Sequence, residues 1–127
     1  MAKRKVIIVD DDEVFLSELK AALETRGYDT TAIWGGFAVV ELTRKVRPDV
    51  ILLDLKMDKV SGFQIARGLK QFPETSKVPI IAMTGHFIGS DRSAWIGMYG
   101  MEDLLPKPFS MDDVVGRMEK AIKNSTQ

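Results

Sequence analysis

The sequence predicts a single α/β domain built on a five-stranded parallel sheet with helices on both faces. Apolar runs of strand length alternate with amphipathic stretches of helical period, in the order βαβαβαβαβα. The apolar runs are continuous rather than alternating, which is typical of strands that are covered on both faces. Right-handed crossovers between such strands then produce a doubly wound sheet.

In the first half of the chain, the predicted strands and helices have clear ends. Residues 6–9 are a β-branched run that ends in acids, and residues 12–26 repeat apolar side chains with helical spacing. Gly27 is expected to end this helix, since glycine adopts the left-handed conformation of a helix terminus without strain. Residues 28–33 follow as a half-exposed edge strand, and a glycine pair separates them from a second helix over residues 37–46.

The centre of the chain contains the most continuous apolar strand, over residues 49–54. Ser61 and Gln64 have the spacing of a capping box, which predicts the start of a third helix there. Residues 78–83 are predicted as a fourth strand, and residues 90–98 as a fourth helix.

The last part of the chain is predicted to add a short strand and a well-patterned helix. Residues 104–105 mark the fifth strand. Ser110 and Asp113 have the spacing of a second capping box, and apolar residues then keep helical spacing up to Ile122. We expect one domain over residues 1–127, with a core over about 5–123 and a short tail over 124–127.

Composition excludes several classes of function. Eighteen basic residues balance eighteen acidic ones, so no net charge draws the chain to nucleic acid or to an anionic membrane. The absence of cysteine excludes disulfides, thiol catalysis and cysteine-ligated metals. The apolar run near the start is too short for a signal peptide or a membrane span. We therefore expect a cytoplasmic protein with no direct contact to nucleic acid or membrane.

Side chains suited to phosphoryl chemistry follow the predicted strands. The first strand ends in Asp10 and Asp11, the third in Asp54, the fourth in Thr84, and Lys107 follows the fifth. Singly these residues are ordinary, because acids after a strand often cap the next helix and lysines are often exposed. However, ligands bind at the carboxyl ends of parallel strands, so we expect these groups to meet there.

A divalent cation is expected among the three carboxylates. If Asp10, Asp11 and Asp54 lie within roughly 5 Å of one another, each pair repels by about 3 kcal/mol at an effective dielectric constant of about 20. Lys107 offsets one negative charge, and a divalent cation would balance the other two. Ligands that are all oxygen favour Mg²⁺. With an ordinary pKa near 4, Asp54 would be ionised and could attack a phosphoryl group whose oxygens Mg²⁺, Lys107 and Thr84 bind.

The sequence resembles the receiver domain of two-component response regulators, in particular single-domain receivers of the chemotaxis type. The matching segments are KVIIVDDD, PDVILLDLKM, VPIIAMTG and LPKPF, in the family's order and spacing, and the resemblance extends over about residues 5–123. It implies a flavodoxin-like (βα)5 fold with strand order 2-1-3-4-5. It also implies that a sensor histidine kinase or a histidine phosphotransfer protein phosphorylates Asp54, and that the chain is not an enzyme beyond assisting this reaction and its reversal.

The resemblance further implies the metal ligands. Asp11 would bind Mg²⁺ directly and Asp10 through water, and Asp54 and the backbone carbonyl of Lys56 would complete the protein ligands. Mn²⁺ could substitute for Mg²⁺. The loop after Asp54 departs from the family pattern, which has methionine-proline where this chain has Met57 and Asp58 and aspartate-glycine where it has Ser61 and Gly62.

The same resemblance implies roles for further residues. Thr84 would follow the phosphoryl group and Lys107 would bind it, with a cis peptide before Pro108. Lys56, Gly85 and His86 are assigned to modulating self-dephosphorylation. Leu104 takes the switch position where many receivers carry an aromatic residue, which disfavours transmission of the signal by a swinging ring.

The resemblance implies that downstream proteins bind the face formed by the fourth helix, the fifth strand and the last helix. No output segment follows that helix, so a stand-alone receiver, monomeric or weakly dimeric, is expected. Three alternatives remain at this point. A degenerate receiver would bind partners without phosphorylation, a haloacid-dehalogenase-type phosphatase would also form an aspartyl phosphate, and a flavodoxin-like cofactor binder would need a phosphate loop where this chain has acids.

Overall fold

The structure is a computed structural model that describes residues 2–57, 60–85, 96–97 and 99–125. In this part of the chain, five parallel strands form one sheet in the order β2-β1-β3-β4-β5. The strands are β1 Lys5–Asp10, β2 Asp29–Trp34, β3 Val50–Asp54, β4 Ile80–Thr84 and β5 Asp103–Pro106. The predicted doubly wound sheet and its strand order are confirmed.

The helices predicted after the first, second, third and fifth strands are present, and a short turn that was not predicted follows the third helix. These elements are α1 Glu13–Thr25, α2 Val39–Val46, α3 Gly62–Lys70, the single turn α4 Pro73–Ser76, and α5 Met111–Ser125. Ile96, Gly97 and Tyr99 are also helical, at the end of the helix predicted over residues 90–98. The remainder of that prediction lies outside the described residues.

Local hydrogen bonds set where three of the helices begin. The Asp12 carboxylate accepts a hydrogen bond from a backbone N–H in the first turn of α1. Ser61 and Gln64 form the reciprocal capping box predicted for α3. At α5 the Ser110 hydroxyl accepts from the N–H of Asp113 at 3.0 Å, which is the first bond of the second predicted box. These bonds satisfy backbone donors that have no partner inside a helix.

Two boundaries differ from the prediction for identifiable reasons. Helix α2 begins at Val39 rather than at residue 37, and its preceding residue, Ala38, has no side-chain oxygen to cap an earlier start. Strand β4 begins at Ile80 rather than at residue 78, because Pro79 has no N–H to donate to a neighbouring strand. Gly27 ends α1 as predicted, with a φ of 92°.

The core consists of two apolar layers, one on each face of the sheet. Val6 and Ile8 of β1 point into the layer under α1 and α5, whereas Ile7 and Val9 point into the layer on the opposite face, beneath α2 and α3. All four are fully buried. The continuous apolar run of β1 thus follows from burial on both faces.

Among the residues that the structure describes, every helix is too short or too polar to span a bilayer.

Candidate functional site

Three carboxylates meet at the carboxyl edge of the sheet. Asp10 is the last residue of β1, Asp11 follows it, and Asp54 is the last residue of β3, the neighbour of β1 in the sheet. One oxygen of each lies within 4.8 Å of the other two, in agreement with the predicted spacing. Asp10 and Asp54 are only 1% and 6% exposed. Buried oxygen ligands at this spacing fit a hard divalent cation, and a cation is the natural compensation for their charge.

Lys107 joins this cluster from the segment after β5. Its Nζ atom lies 2.7 Å from Oδ2 of Asp10, and the peptide bond to Pro108 is cis, as the resemblance implied. The same Nζ atom lies 4.1 Å from the centroid of the Phe15 ring, whose edge meets the ring of Phe109. The ammonium is therefore held between a carboxylate and an aromatic face, both of which attract a cation.

Backbone donors orient two of the carboxylates. Oδ1 of Asp10 accepts from the N–H of Asp12 at 3.1 Å, and Oδ1 of Asp54 accepts from the N–H of Lys56 at 3.2 Å. Lys56 itself is exposed. Neither bond involves Oδ2 of Asp54.

The other predicted site residues lie at or near the same edge. Thr84 ends β4 with 7% exposure, and its carbonyl accepts from the N–H of Lys107 at 2.7 Å. Gly85 follows in an exposed bend. Leu104 is 1% exposed and packs in the apolar layer beneath α2 and α3, so it is a core residue. His86 lies outside the described residues, and so does Asp58.

The surroundings of Asp54 disfavour the ionised form of its carboxyl group. Burial, followed by the charge of Asp10, raises the pKa of Asp54 from 3.8 to about 6, against the opposing effects of Lys107 and the N–H of Lys56. The ordinary value near 4, inferred from the sequence alone, is therefore wrong for the metal-free protein. A pKa of about 6 still leaves most Asp54 carboxyls ionised at neutral pH.

Sequence reasoning missed two aromatic residues that touch the site. Phe15 was expected only as a core residue of α1, yet its ring contacts the Lys107 ammonium. Trp34, the last residue of β2, donates its indole N–H to the carbonyl oxygen of Asp11 at 2.9 Å. Beside Trp34 lies a cavity of about 240 Å³, lined by Asp11, Trp34, Gly35, Gly36, Phe37, Met57 and Val60. The sequence carries no signal for these contacts, because they depend on where each ring points.

Comparison with known proteins identifies the family. A model of the response regulator receiver domain matches residues 6–119. The chain is 32% identical over 108 residues to the polar-differentiation response regulator DivK of Brucella anthropi, covering 85% of this chain and 87% of DivK. It is 29% identical over 122 residues to the response regulator MprA of Mycolicibacterium vanbaalenii, covering 96% of this chain and 52% of MprA. The chain thus spans about half the length of that relative.

Solved structures agree with this assignment. The receiver domain of the sensor histidine kinase PA1611 from Pseudomonas aeruginosa matches with a TM-score of 0.85 and 28% identity, covering 96% of this chain and 99% of that one. Its crystal structure has a magnesium ion coordinated in the active site cleft. The receiver domain of the Francisella response regulator 1452 matches with a TM-score of 0.85 and 26% identity, covering 97% and 99%. With its fold, its acidic cluster and a family match over most of its length, this chain belongs to the response regulator receiver domain family.

Proposed function

We propose that this chain is a phosphoacceptor receiver of a two-component phosphorelay, in which Asp54 accepts a phosphoryl group. The observation that carries the proposal is the meeting of Asp10, Asp11 and Asp54 with the ammonium of Lys107 at one edge of the sheet. The magnesium ion in the related PA1611 receiver domain supports a metal at this cluster. A sensor histidine kinase or a histidine phosphotransfer protein is the proposed donor.

Three carboxylates and the backbone carbonyl of Lys56 are the proposed ligands for Mg²⁺ or Mn²⁺. When bound, the ion would neutralise carboxylate charge and bind the phosphoryl oxygens. The oxygen of Asp54 then forms a bond to phosphorus as the bond from phosphorus to the donor imidazole nitrogen breaks, and the imidazole leaves with the electron pair. No general base is required, because most of Asp54 is already ionised at neutral pH.

Lys107 and Thr84 are proposed to bind the transferred group. The ammonium of Lys107 pairs with Asp10 in the metal-free protein and would exchange part of this contact for a phosphoryl oxygen. The hydroxyl of Thr84, at the end of the adjacent strand, would donate to another phosphoryl oxygen. Lys56, Gly85 and His86 are proposed to modulate the approach of water to Asp54.

The output is proposed to be the binding of another protein, not catalysis. The proposed surface comprises the helix that ends at Tyr99, β5 and α5. Because Leu104 is buried in the core, the displacement of Thr84 would be transmitted by movement of packed elements rather than by rotation of a ring. The proposed setting is the cytoplasm, with the chain monomeric or weakly dimeric.

The decisive experiment is exposure to acetyl phosphate with and without Mg²⁺, read by intact mass. We expect one phosphoryl group to be added only when metal is present, and none to Asp54→Asn. Asp11→Asn should lose most labelling, whereas the control Asp12→Asn should keep it, since Asp12 is exposed and asparagine also caps helices.

Labelling of Asp54→Asn, or labelling of the wild type without metal, would contradict the proposal. Continuous turnover of simple phosphate esters would instead favour the phosphatase alternative. A chain that remains unlabelled but retains its partners would be a degenerate receiver.

A further inference from the structure

Residues at the end of β2 hold the last residue of β1 and the residue after it, which are two of the proposed metal ligands. The backbone N–H of Gly35 donates to the carbonyl oxygen of Asp10 at 2.8 Å. The indole N–H of Trp34 donates to the carbonyl oxygen of Asp11 at 2.9 Å. The carbonyls of the last residue of β1 and of the residue after it are therefore fixed by the last residue of β2 and the residue after that. The second of these bonds comes from a side chain and depends on the identity of that residue.

Burial does not explain the position of Trp34. The residue is 66% exposed, although tryptophan is usually well buried because its large apolar surface favours the interior. Its ring lies instead against the loop after β1 and forms one wall of the cavity that Asp11 also lines. The contact that distinguishes tryptophan from phenylalanine at this position is the N–H donated to Asp11.

The residues on either side of Asp11 are held by contacts of their own. The Asp10 carboxylate is already held by Lys107 and by the N–H of Asp12. Asp12 is fixed as the capping residue of α1. Between them, the bond from Trp34 restricts the direction of the Asp11 carbonyl and therefore the backbone torsion ψ of Asp11, which limits the rotamers that its side chain can adopt. Mg²⁺ demands near-ideal octahedral geometry, so the orientation of a ligand affects its affinity directly.

We infer that Trp34 is a positioning residue for the metal site, acting through its indole N–H on the backbone of Asp11. This inference rests on the proposed Mg²⁺ site. The indole does not contact the cation itself. It restricts the Asp11 carboxylate to orientations that can bind the cation, so that less conformational freedom is lost when Mg²⁺ binds.

The test is calorimetric titration of the wild type and two variants with MgCl₂. Trp34→Phe keeps an aromatic ring and removes the donor, and we expect it to weaken Mg²⁺ binding by about 10-fold, at the lower end of the effects seen for residues that orient metal ligands. Phe37→Leu is the matched control, since Phe37 lines the same cavity and is 79% exposed. It should bind Mg²⁺ as the wild type does.

Three further measurements separate a positioning role from a general loss of structure. Benzothienylalanine at position 34, which keeps both rings and replaces the N–H with sulfur, should reproduce the loss seen in Trp34→Phe. The unfolding midpoint of metal-free Trp34→Phe should remain close to that of the wild type. In the wild type, the indole N–H resonance of Trp34 should shift during the titration with the same dissociation constant as the heat signal.

An unchanged Mg²⁺ affinity in Trp34→Phe or in the benzothienyl protein would overturn the inference. An equal loss in Phe37→Leu would also overturn it, because the cavity rather than the hydrogen bond would then be responsible. If the wild type neither binds Mg²⁺ nor accepts phosphate from acetyl phosphate, the proposed function itself fails, and this inference fails with it.

Discussion

Asp54 is almost buried beside two other carboxylates, and this placement opposes its ionisation. Burial and the charge of Asp10 raise its pKa to about 6, whereas an unfolded aspartate titrates near 3.8. The native protein therefore binds the proton more tightly than the unfolded chain does. This tighter proton binding adds to the free energy of unfolding. The contribution is fully present below about pH 4 and is lost as the pH rises through about 6.

We accordingly expect Asp54→Asn to stabilise the metal-free protein at pH 7.5 by about 1–3 kcal/mol. The gain should disappear near pH 3, which is below the pKa of both states, because Asp54 is then largely protonated in the folded and in the unfolded chain. Urea unfolding at the two pH values, with a chelator present, measures the difference. A gain that is the same at both pH values would show that the ionisation of Asp54 is not its source.

A second prediction concerns Phe15, whose ring contacts Lys107. Its ring lies 4.1 Å from the Lys107 ammonium, which already pairs with Asp10. Phe15→Leu should slow labelling by acetyl phosphate by about 2- to 5-fold, the loss expected from one partly exposed cation–π contact, while Mg²⁺ affinity stays unchanged. Phe15→Tyr keeps an aromatic face and should restore the rate. Equal rates in the leucine and tyrosine variants would contradict a role for the ring.

At this scale the sequence predicts charged site residues better than aromatic ones. Asp54 and Lys107 stand at strand ends, and parallel topology forces those ends together. Trp34 and Phe15 also lie near strand ends, but their contacts depend on side-chain torsions that no local pattern encodes. The raised pKa of Asp54 likewise required knowledge of its burial.

At the scale of elements, α3 approaches the end of β3 so closely that its first residue must be small. A Cβ atom on Gly62 would come within 2.8 Å of Cα of Leu55 and closer still to the carbonyl oxygen of Asp54. Gly116, within α5, would place a Cβ atom in open space. Close packing therefore requires a glycine at position 62 but not at position 116, although the sequence alone does not distinguish the two positions.

Alanine at these two positions should have opposite effects. Gly116→Ala should stabilise the protein by about 0.5–1 kcal/mol through helix propensity alone. Gly62→Ala should destabilise it by about 1–3 kcal/mol or more, since backbone atoms cannot move aside easily. Chemical denaturation of both variants tests the contrast. Two variants with similar stability would show that α3 can shift away from β3.

Element boundaries were predictable where a local hydrogen bond sets them. Ser61 and Gln64 identify the start of α3, and Asp12 caps α1. The start of α2 was missed by two residues, because Ala38 supplies no side-chain cap and a non-local fit to the core decides the boundary. The helix predicted over residues 90–98 stays a prediction apart from its last described residues.

For the molecule as a whole, a cation bound by residues from two strands should stabilise the entire fold. At a Mg²⁺ concentration ten times its dissociation constant, linkage gives about 1.4 kcal/mol of added stability. We expect this gain at pH 7.5 and a smaller one at pH 5, where protonation of Asp54 competes with the metal. Unfolding of wild type and Asp11→Asn with and without MgCl₂ measures it. An equal gain in Asp11→Asn would place the cation elsewhere.

The contact between Lys107 and Asp10 joins residues that are 97 positions apart. The carboxylates come from the early and middle parts of the polypeptide, but their ammonium partner arrives only after β5 has docked. A chain still on the ribosome, or one cut before that strand, would hold the acids without the group that draws phosphate to them. Under the proposed function, the ability to accept a phosphoryl group would then coincide with completion of the sheet, and incomplete chains would remain unphosphorylated.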